Sequence, residues 1–134
     1  FGKARVVMEG DELTVITWGA MVQKSLDAIR ECNLPSGSVD VLDLRTLNPL
    51  DIDSIEISLS KTGKVILVYE DNLTNGPGAE ISALIVDKFF ELLDGPVRRV
   101  ASKDCPVPYN WHLEEQVLPQ TADISEAIME LLEY

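Results

Sequence analysis

Short apolar runs alternate with amphipathic segments along the 134 residues of the chain. Runs of β-branched and apolar residues predict strands, whereas apolar side chains repeated every three or four residues predict helices. The polar stretch Glu9–Glu12 separates the first two runs, and we interpret it as a tight turn that joins two strands. Five strands are expected, at Val6 to Met8, Leu13 to Trp18, Val39 to Leu44, Lys64 to Tyr69 and Val97 to Ala101.

Four amphipathic segments predict helices: from Ala20 to about Pro35, from Asp51 to Gly63, from Ala79 to Leu93, and from Asp123 onward. Asp51 and Asp123 are the expected N-caps, with Glu126 as the partner of the second, and Gly63 suits a C-terminal cap. The proline-rich stretch between the fifth strand and the last helix is expected to be irregular.

Strands and helices that alternate at these lengths favour right-handed crossovers and a mostly parallel sheet. The uninterrupted apolar run Val65–Val68 is typical of a central parallel strand that is buried on both faces. The predicted fold is therefore α/β, a three-layer α/β/α sandwich that forms one domain over residues 1–134.

The predicted helix from Ala79 to Leu93 is apolar on two sides. One stripe is enough to cover a sheet, so a wider apolar arc indicates a second contact, with a neighbouring helix or with another subunit. The first stripe comprises Ile81, Leu84, Ile85, Phe89 and Leu92, and the second Ala83, Val86, Phe90 and Leu93. The candidate subunit-contact residues are Val86, Phe89, Phe90 and Leu93.

Charge narrows the classes of partner. The formal net charge is -12, from 23 acidic and 11 basic residues, which disfavours contact with nucleic acid or anionic membranes but leaves a basic protein partner open. No apolar run reaches the roughly 20 residues that span a bilayer. Cys32 and Cys105 are too few for a disulfide framework, and they indicate reduced thiols. We expect a soluble protein of the bacterial cytoplasm or the mitochondrial matrix.

A glycine turn, Gly76-Pro77-Gly78, lies between a predicted strand and a predicted helix, where free amides and the helix dipole can bind a phosphate. Against this, Pro77 removes a donor, Glu80 adds negative charge, and Ile81 replaces the third glycine of a dinucleotide fingerprint. A structural turn is favoured. The alternative is a regulatory module that binds an anion or nucleotide at Gly76 and Gly78.

Two further segments look like sites when each is taken alone. Lys64 to Asn72 is similar to the first strand of a phosphoacceptor receiver, with Glu70 and Asp71 as its acidic pair, but too little chain follows to complete a receiver. His112 is the only histidine, yet no serine or cysteine stands in a recognisable nucleophile setting with it. We expect no catalytic, cofactor-binding or metal-binding residue in the chain.

Several segments resemble, in the same order, the C-terminal domain of the beta chain of 2-oxoacid dehydrogenases, or of the fused alpha-beta form. They are the opening GKARVVMEGDELTVITWGAMV, the DLRTLNP segment at Asp43 to Pro49, and the stretches Lys61–Ser82, Arg98–Tyr109 and Leu113–Pro119. The chain is thus identified as a member of the transketolase C-terminal domain superfamily. This resemblance implies a five-stranded mixed sheet whose first strand is antiparallel.

The resemblance also implies a parent enzyme that depends on thiamine diphosphate and magnesium. Such enzymes decarboxylate a 2-oxoacid oxidatively and pass the acyl group to lipoamide. The cofactor lies between domains other than this one, so the isolated domain is expected to be inactive. Loop details lean slightly toward a branched-chain rather than a pyruvate substrate. The C-terminal domain of another transketolase-type enzyme stays open as an alternative.

Partners follow from the same resemblance. The family uses this domain to associate with the remaining domains or the alpha chain and to form a homodimer contact. In some members it also docks the small basic subunit-binding domain of a dihydrolipoamide acyltransferase. Glu130, Glu133 and the carboxylate of Tyr134 are the candidate docking residues, because complementary charge speeds association and orients the partner.

Overall fold

Five strands form one mixed sheet in the computed structural model, which describes residues 1–134. They are β1 (Arg5–Met8), β2 (Leu13–Thr17), β3 (Val39–Asp43), β4 (Val65–Asn72) and β5 (Arg98–Ser102). Their order in the sheet is β1-β3-β2-β4-β5. β1 is antiparallel to β3 and every other pairing is parallel, which confirms the predicted five-stranded sheet with an antiparallel first strand.

The turn Glu9–Glu12 does not pair the strands that it joins, because β3 lies between β1 and β2. A hairpin at this turn is therefore ruled out. Both edges of the buried strand β2 are taken by the parallel neighbours β3 and β4, so the exposed strand β1 is left at the edge of the sheet. The turn is fastened to β3 instead, where the amide of Gly10 donates to Asp40 Oδ1 at 3.3 Å.

The chain forms five α-helices, of which four cover the sheet. They are α1 (Met21–Glu31), α2 (Ile52–Thr62), α3 (Pro77–Phe89), α4 (Trp111–Val117) and α5 (Thr121–Leu132), with a 3₁₀ turn at Phe90–Leu92. None of them is both long enough and apolar enough to cross a bilayer. α1 and α5 lie on one face of the sheet, and α2 and α3 lie on the other, which confirms the three-layer architecture.

The structure differs from the prediction at two places, an additional helix and the start of the last helix. α4 occupies part of the segment expected to be irregular, and the Asn110 side chain caps it by accepting from the amide of His112 at 3.0 Å. α5 begins earlier than Asp123, because Gln120 is its N-cap and Asp123 is the N3 partner in a reciprocal capping box. Gly63 ends α2 in the left-handed conformation, as predicted.

β4 divides the interior into two apolar layers. Ile66 and Val68 face the layer beneath α1 and α5, whereas Val65, Leu67 and Tyr69 face the layer beneath α2 and α3. All five side chains are completely buried. Residues 65–69 of the strand therefore present no polar face, as the apolar run Val65–Val68 predicted.

A cluster that we call the N-terminal clasp (Lys3, Ala4, Arg45 and Asp51) holds the start of the chain against the loop between β3 and α2. Asp51 is the N-cap residue of α2, and its carboxylate accepts from the Ser54 hydroxyl of that helix at 2.7 Å. It also accepts from the Ala4 amide at 2.8 Å and from Lys3 Nζ at 3.3 Å. Arg45, at φ 56, donates from Nε to the Lys3 carbonyl at 2.9 Å.

Burial alone would raise the pKa of Asp51, but hydrogen bonds from Ala4, Ser54 and Lys3 outweigh it and lower the pKa to about 2. The unfolded chain, with a carboxyl pKa of about 3.9, binds more protons than the folded chain between these two values. The stabilisation is therefore complete above about pH 4 and is lost as the pH falls through about 2.

We predict that Asp51→Asn lowers the free energy of unfolding at pH 7 and flattens its dependence on pH between 2 and 5. Urea unfolding monitored across that range measures both effects. Asp53→Asn is the matched control, since that carboxylate is 84% exposed and lies 4.0 Å from Lys3 Nζ. Equal pH dependence in the two variants would contradict the role given to Asp51.

Candidate partner-binding surfaces

α3 buries one apolar stripe and exposes the other. Ile81, Ile85 and Phe89 are buried in the layer that contains Tyr69. On the outer side, Val86 is 45% exposed and Phe90 is 70% exposed. Phe90 begins the 3₁₀ turn, and Leu93 after it is half-buried. The candidate subunit contact thus narrows to Val86 and Phe90 with Leu93 at its margin, because Phe89 already belongs to the core of this domain.

The surroundings of this outer stripe are mixed in charge. Glu80, Asp87 and Lys88 are exposed on α3. Arg99 of β5 lies beside Ala83, Val86 and Asp87 in a shallow groove along the helix. An apolar strip bordered by both signs of charge is the usual anatomy of a protein contact, with a hydrophobic centre and a polar rim.

The glycine turn before α3 has a packing explanation. A Cβ atom at Gly78 would lie 2.0 Å from Cε1 of Tyr69, and one at Gly76 would lie 2.0 Å from the carbonyl oxygen of Asn72. Trp18 stacks on the Tyr69 ring with centroids 5.4 Å apart. Both glycines are buried, and neither lines a cavity. Anion binding at Gly76 and Gly78 stays a prediction that no cavity beside the turn supports.

The C-terminal end of α5 carries unneutralised negative charge. Glu130, Glu133 and Tyr134 are all exposed, and the last turn of the helix contains no basic residue. Carboxylates near the carbonyl end of a helix dipole cost about 0.3–1 kcal/mol each. Lys64 offsets part of this by donating to the Leu132 carbonyl at 3.3 Å. A cationic partner would therefore find favourable charge at this end of the domain.

The loop between β5 and α4, together with the first residue of α4, exposes apolar side chains that the sequence did not predict as partner contacts. Val107, Tyr109 and Trp111 are large, apolar and exposed. The loop is held at its base by Asp104, whose carboxylate accepts from the Thr74 hydroxyl at 2.6 Å and from the Thr74 amide at 2.9 Å. The Thr74 hydroxyl and amide lower the pKa of Asp104. The aromatic residues that follow Pro106 and Pro108 are the feature of the sequence from which this exposed surface could have been predicted.

The remaining polar candidates form no site. Glu70 and Asp71 are exposed near the end of β4, and His112 is exposed with its ring stacked on Trp111 at a centroid distance of 3.4 Å. No three histidine, cysteine or acidic side chains are arranged to hold a metal ion. This domain therefore offers no cluster of three such ligands for the magnesium ion that the resemblance implies in the parent enzymes.

Residues 2–124 match the family described as "Transketolase, C-terminal domain". The chain belongs to this family. This transketolase C-terminal domain is also similar to the pyruvate dehydrogenase E1 component subunit beta of two bacteria. It is 41% identical to that of Rickettsia bellii over 96% of the chain, and 40% identical to that of Staphylococcus epidermidis over 99%. It spans only 39% and 41% of the length of these relatives.

Two solved structures share the fold of this transketolase C-terminal domain. A chain described as "Split gene transketolase, inactive beta4 tetramer" superposes with a TM-score of 0.82 at 23% identity, over 98% of this chain and 43% of that one. A 2-oxoglutarate:ferredoxin oxidoreductase from Magnetococcus marinus gives 0.63 at 14% identity, over 98% and 20%. The relatives named above are of the pyruvate type, so they give no support to the lean toward a branched-chain substrate.

We predict that Gly78→Ala destabilises the domain by about 1–3 kcal/mol, because its methyl group must displace the Tyr69 ring. In a Tyr69→Leu background the same substitution should cost less, with a coupling energy of about 1 kcal/mol or more. Urea unfolding of the four proteins measures the cycle. Additive effects would contradict the packing explanation. The packing explanation would also be contradicted by calorimetry that detects phosphate binding to the unmodified domain, if Gly78→Ala abolishes that binding without changing the free energy of unfolding.

Proposed function

We propose that this domain is the C-terminal assembly domain of a beta chain in a thiamine-diphosphate-dependent 2-oxoacid dehydrogenase of the pyruvate dehydrogenase type. The similarity to beta subunits extends over nearly the whole chain at 40% and 41% identity, which supports this parent. The complete enzyme would decarboxylate the 2-oxoacid oxidatively and transfer the acyl group to lipoamide. Its other domains would bind the cofactor and its magnesium ion.

The outer stripe of α3 is the observation that carries the assembly role. The core beneath this helix is already filled by Ile81, Ile85 and Phe89, whereas Val86 and Phe90 leave much of their apolar surface exposed in the isolated domain. Complete burial of an apolar side chain of this size contributes about 1.5–3 kcal/mol. A second copy of the same helix, related by a twofold axis, would bury both side chains on each partner.

The role of the domain in the reaction would then be indirect. Its α3 surface would hold two beta chains in a fixed relation, and each beta chain would position cofactor-binding domains against its neighbours. The solved relative with the same fold is described as a tetramer of beta chains that is inactive. Self-association without activity is the behaviour that we expect when the other chain of such an enzyme is missing.

We predict that Phe90→Glu weakens self-association of the beta chain by roughly tenfold or more, because a carboxylate at the centre of an apolar contact loses its hydration. Sedimentation velocity across a concentration series measures the change. Ile57→Glu is the control, since Ile57 is 65% exposed on α2, the other helix of the same layer. An unchanged oligomeric state in Phe90→Glu would remove α3 from the proposed interface.

Docking of the acyltransferase is the second part of the proposal. The acidic end of α5 combines Glu130 and Glu133, beside the exposed Tyr134, with the negative end of the helix dipole. A small basic domain would neutralise these charges and remain orientated by them. Glu130 and Glu133 are exposed on either side of the last buried residue of the helix, Leu131, so both can be altered without removing a core side chain.

We predict that Glu130→Gln with Glu133→Gln slows association with the basic subunit-binding domain by roughly tenfold at low salt. The difference from the unmodified protein should shrink as the ionic strength rises. Surface plasmon resonance across a salt series measures both effects. Glu12→Gln with Glu56→Gln removes the same charge from exposed positions elsewhere and should have a much smaller effect. Equal effects of the two pairs would show that only net charge matters.

A further inference from the structure

The loops at the carboxyl ends of the parallel strands expose large apolar side chains, whereas the loops at the amino ends do not. We call the set of loops after β3, β4 and β5, together with residues 1–4, the carboxyl edge. Its exposed large apolar side chains are Phe1, Leu47, Leu73, Val107 and Tyr109. The loops at the opposite edge, Glu9–Glu12, Asn33–Ser38 and Asp94–Pro96, expose none of this kind. Tyr134 is the single exposed aromatic near that opposite edge, beside Gly95.

The chain enters the domain at the carboxyl edge. β1 is antiparallel to β3 and places Arg5 opposite Asp43, the last residue of β3. Residues 1–4 therefore lie at the end of β3, where Gly2 is so close to Pro49 that an added Cβ would lie 2.8 Å from the Cγ atom of its ring. The N-terminal clasp fixes the Lys3–Ala4 peptide on both its carbonyl and its amide side. Phe1 is fully exposed just outside the clasp, so any preceding chain leaves the domain from a fixed point at this edge.

The apolar loops of the carboxyl edge are also held in position. The Leu73 amide donates to the Ser102 carbonyl at 3.1 Å, and the Leu73 carbonyl accepts from Arg99 Nη1 at 2.7 Å. The loop after β5 is tied at its start in two ways: Asp104 accepts from the Thr74 hydroxyl, and the Lys103 amide donates to the carbonyl of Val117, the last residue of α4, at 3.1 Å. These bonds present Leu73 and Val107 outward on ordered backbone.

We propose that, in the complete beta chain of the proposed function, the carboxyl edge is the surface on which the preceding domain packs. This inference rests on the proposed function, because a beta chain of the relatives' length would place more than half of its residues outside this domain. Four strand spacings of about 4.8 Å give the edge a width of about 19 Å, which a folded domain of ordinary size covers. A chain that starts from the clasp reaches Leu47 and Leu73 without a long linker.

The proposal has a chemical consequence for the domain. In open α/β sheets small ligands bind in the crevice at the carboxyl ends of the strands, where the strand order reverses. Here that crevice lies between β2 and β4, and the packing of Gly76 and Gly78 leaves no cavity there. The edge that other α/β domains use for a ligand is used here for contact with the rest of the same chain.

The exposed thiol of Cys105 lies on the carboxyl edge and reports whether the edge is covered. In the complete beta chain, we expect Cys105 to react with iodoacetamide at least tenfold more slowly than in the urea-unfolded protein. Leu73→Asp and, separately, Tyr109→Asp should raise that rate, because each places a charge in the contact. Ile57→Asp on α2 is the control and should leave it unchanged. Peptide mass spectrometry distinguishes Cys105 from Cys32.

Three results would overturn the proposal. If Cys105 reacts at the unfolded rate while the complete chain retains its quaternary structure and activity, the edge is free and the proposed function still stands. If protection of Cys105 disappears on dilution, a second copy covers the edge instead. If the complete gene product carries no domain before Phe1, the proposed function fails together with this inference.

Discussion

Burial of β4 on both of its faces is the constraint on which the rest of this domain depends. A strand with no polar face must be flanked by strands on both edges and covered by helices on both sides, and the order β1-β3-β2-β4-β5 with its two helical layers satisfies this requirement. Tyr69 extends the constraint to the end of the strand. Its hydroxyl has no hydrogen-bond partner within the chain, so packing against Trp18 and the α3 turn determines where the ring lies.

The packing of Tyr69 also determines which residues of α3 are exposed at the surface. The ring requires glycine at position 78, which fixes where α3 starts and therefore which of its sides faces the sheet. With Ile81, Ile85 and Phe89 turned inward, Val86 and Phe90 must face outward. The apolar surface proposed for subunit contact is thus a consequence of the same packing that removes room for an anion at the turn. One arrangement of residues accounts for the absence of a cavity there and for the exposed stripe.

The sequence allowed the fold and the two-sided helix to be predicted, because uninterrupted and helical apolar periodicities are local signals. It did not reveal the partner of β1, since both edges of β2 are filled by strands distant in sequence. It placed Asp51 correctly at the N-cap of α2 but did not reveal its bond from the Ala4 amide, because that amide is 47 residues away. α4 was missed because its seven residues follow prolines and bury none of their side chains completely. The carboxyl edge emerges only when loops from three strands are brought together.

The most direct test of the central claim is the specific activity of the complete enzyme, measured with 2-oxoacid over a wide range of protein concentration, with and without Phe90→Glu. An assembly role predicts equal specific activity at high concentration and a fall on dilution that begins at roughly tenfold higher concentration in the variant. Activity that is reduced by the same factor at every concentration would contradict this account, because it would assign α3 a part in the chemistry itself.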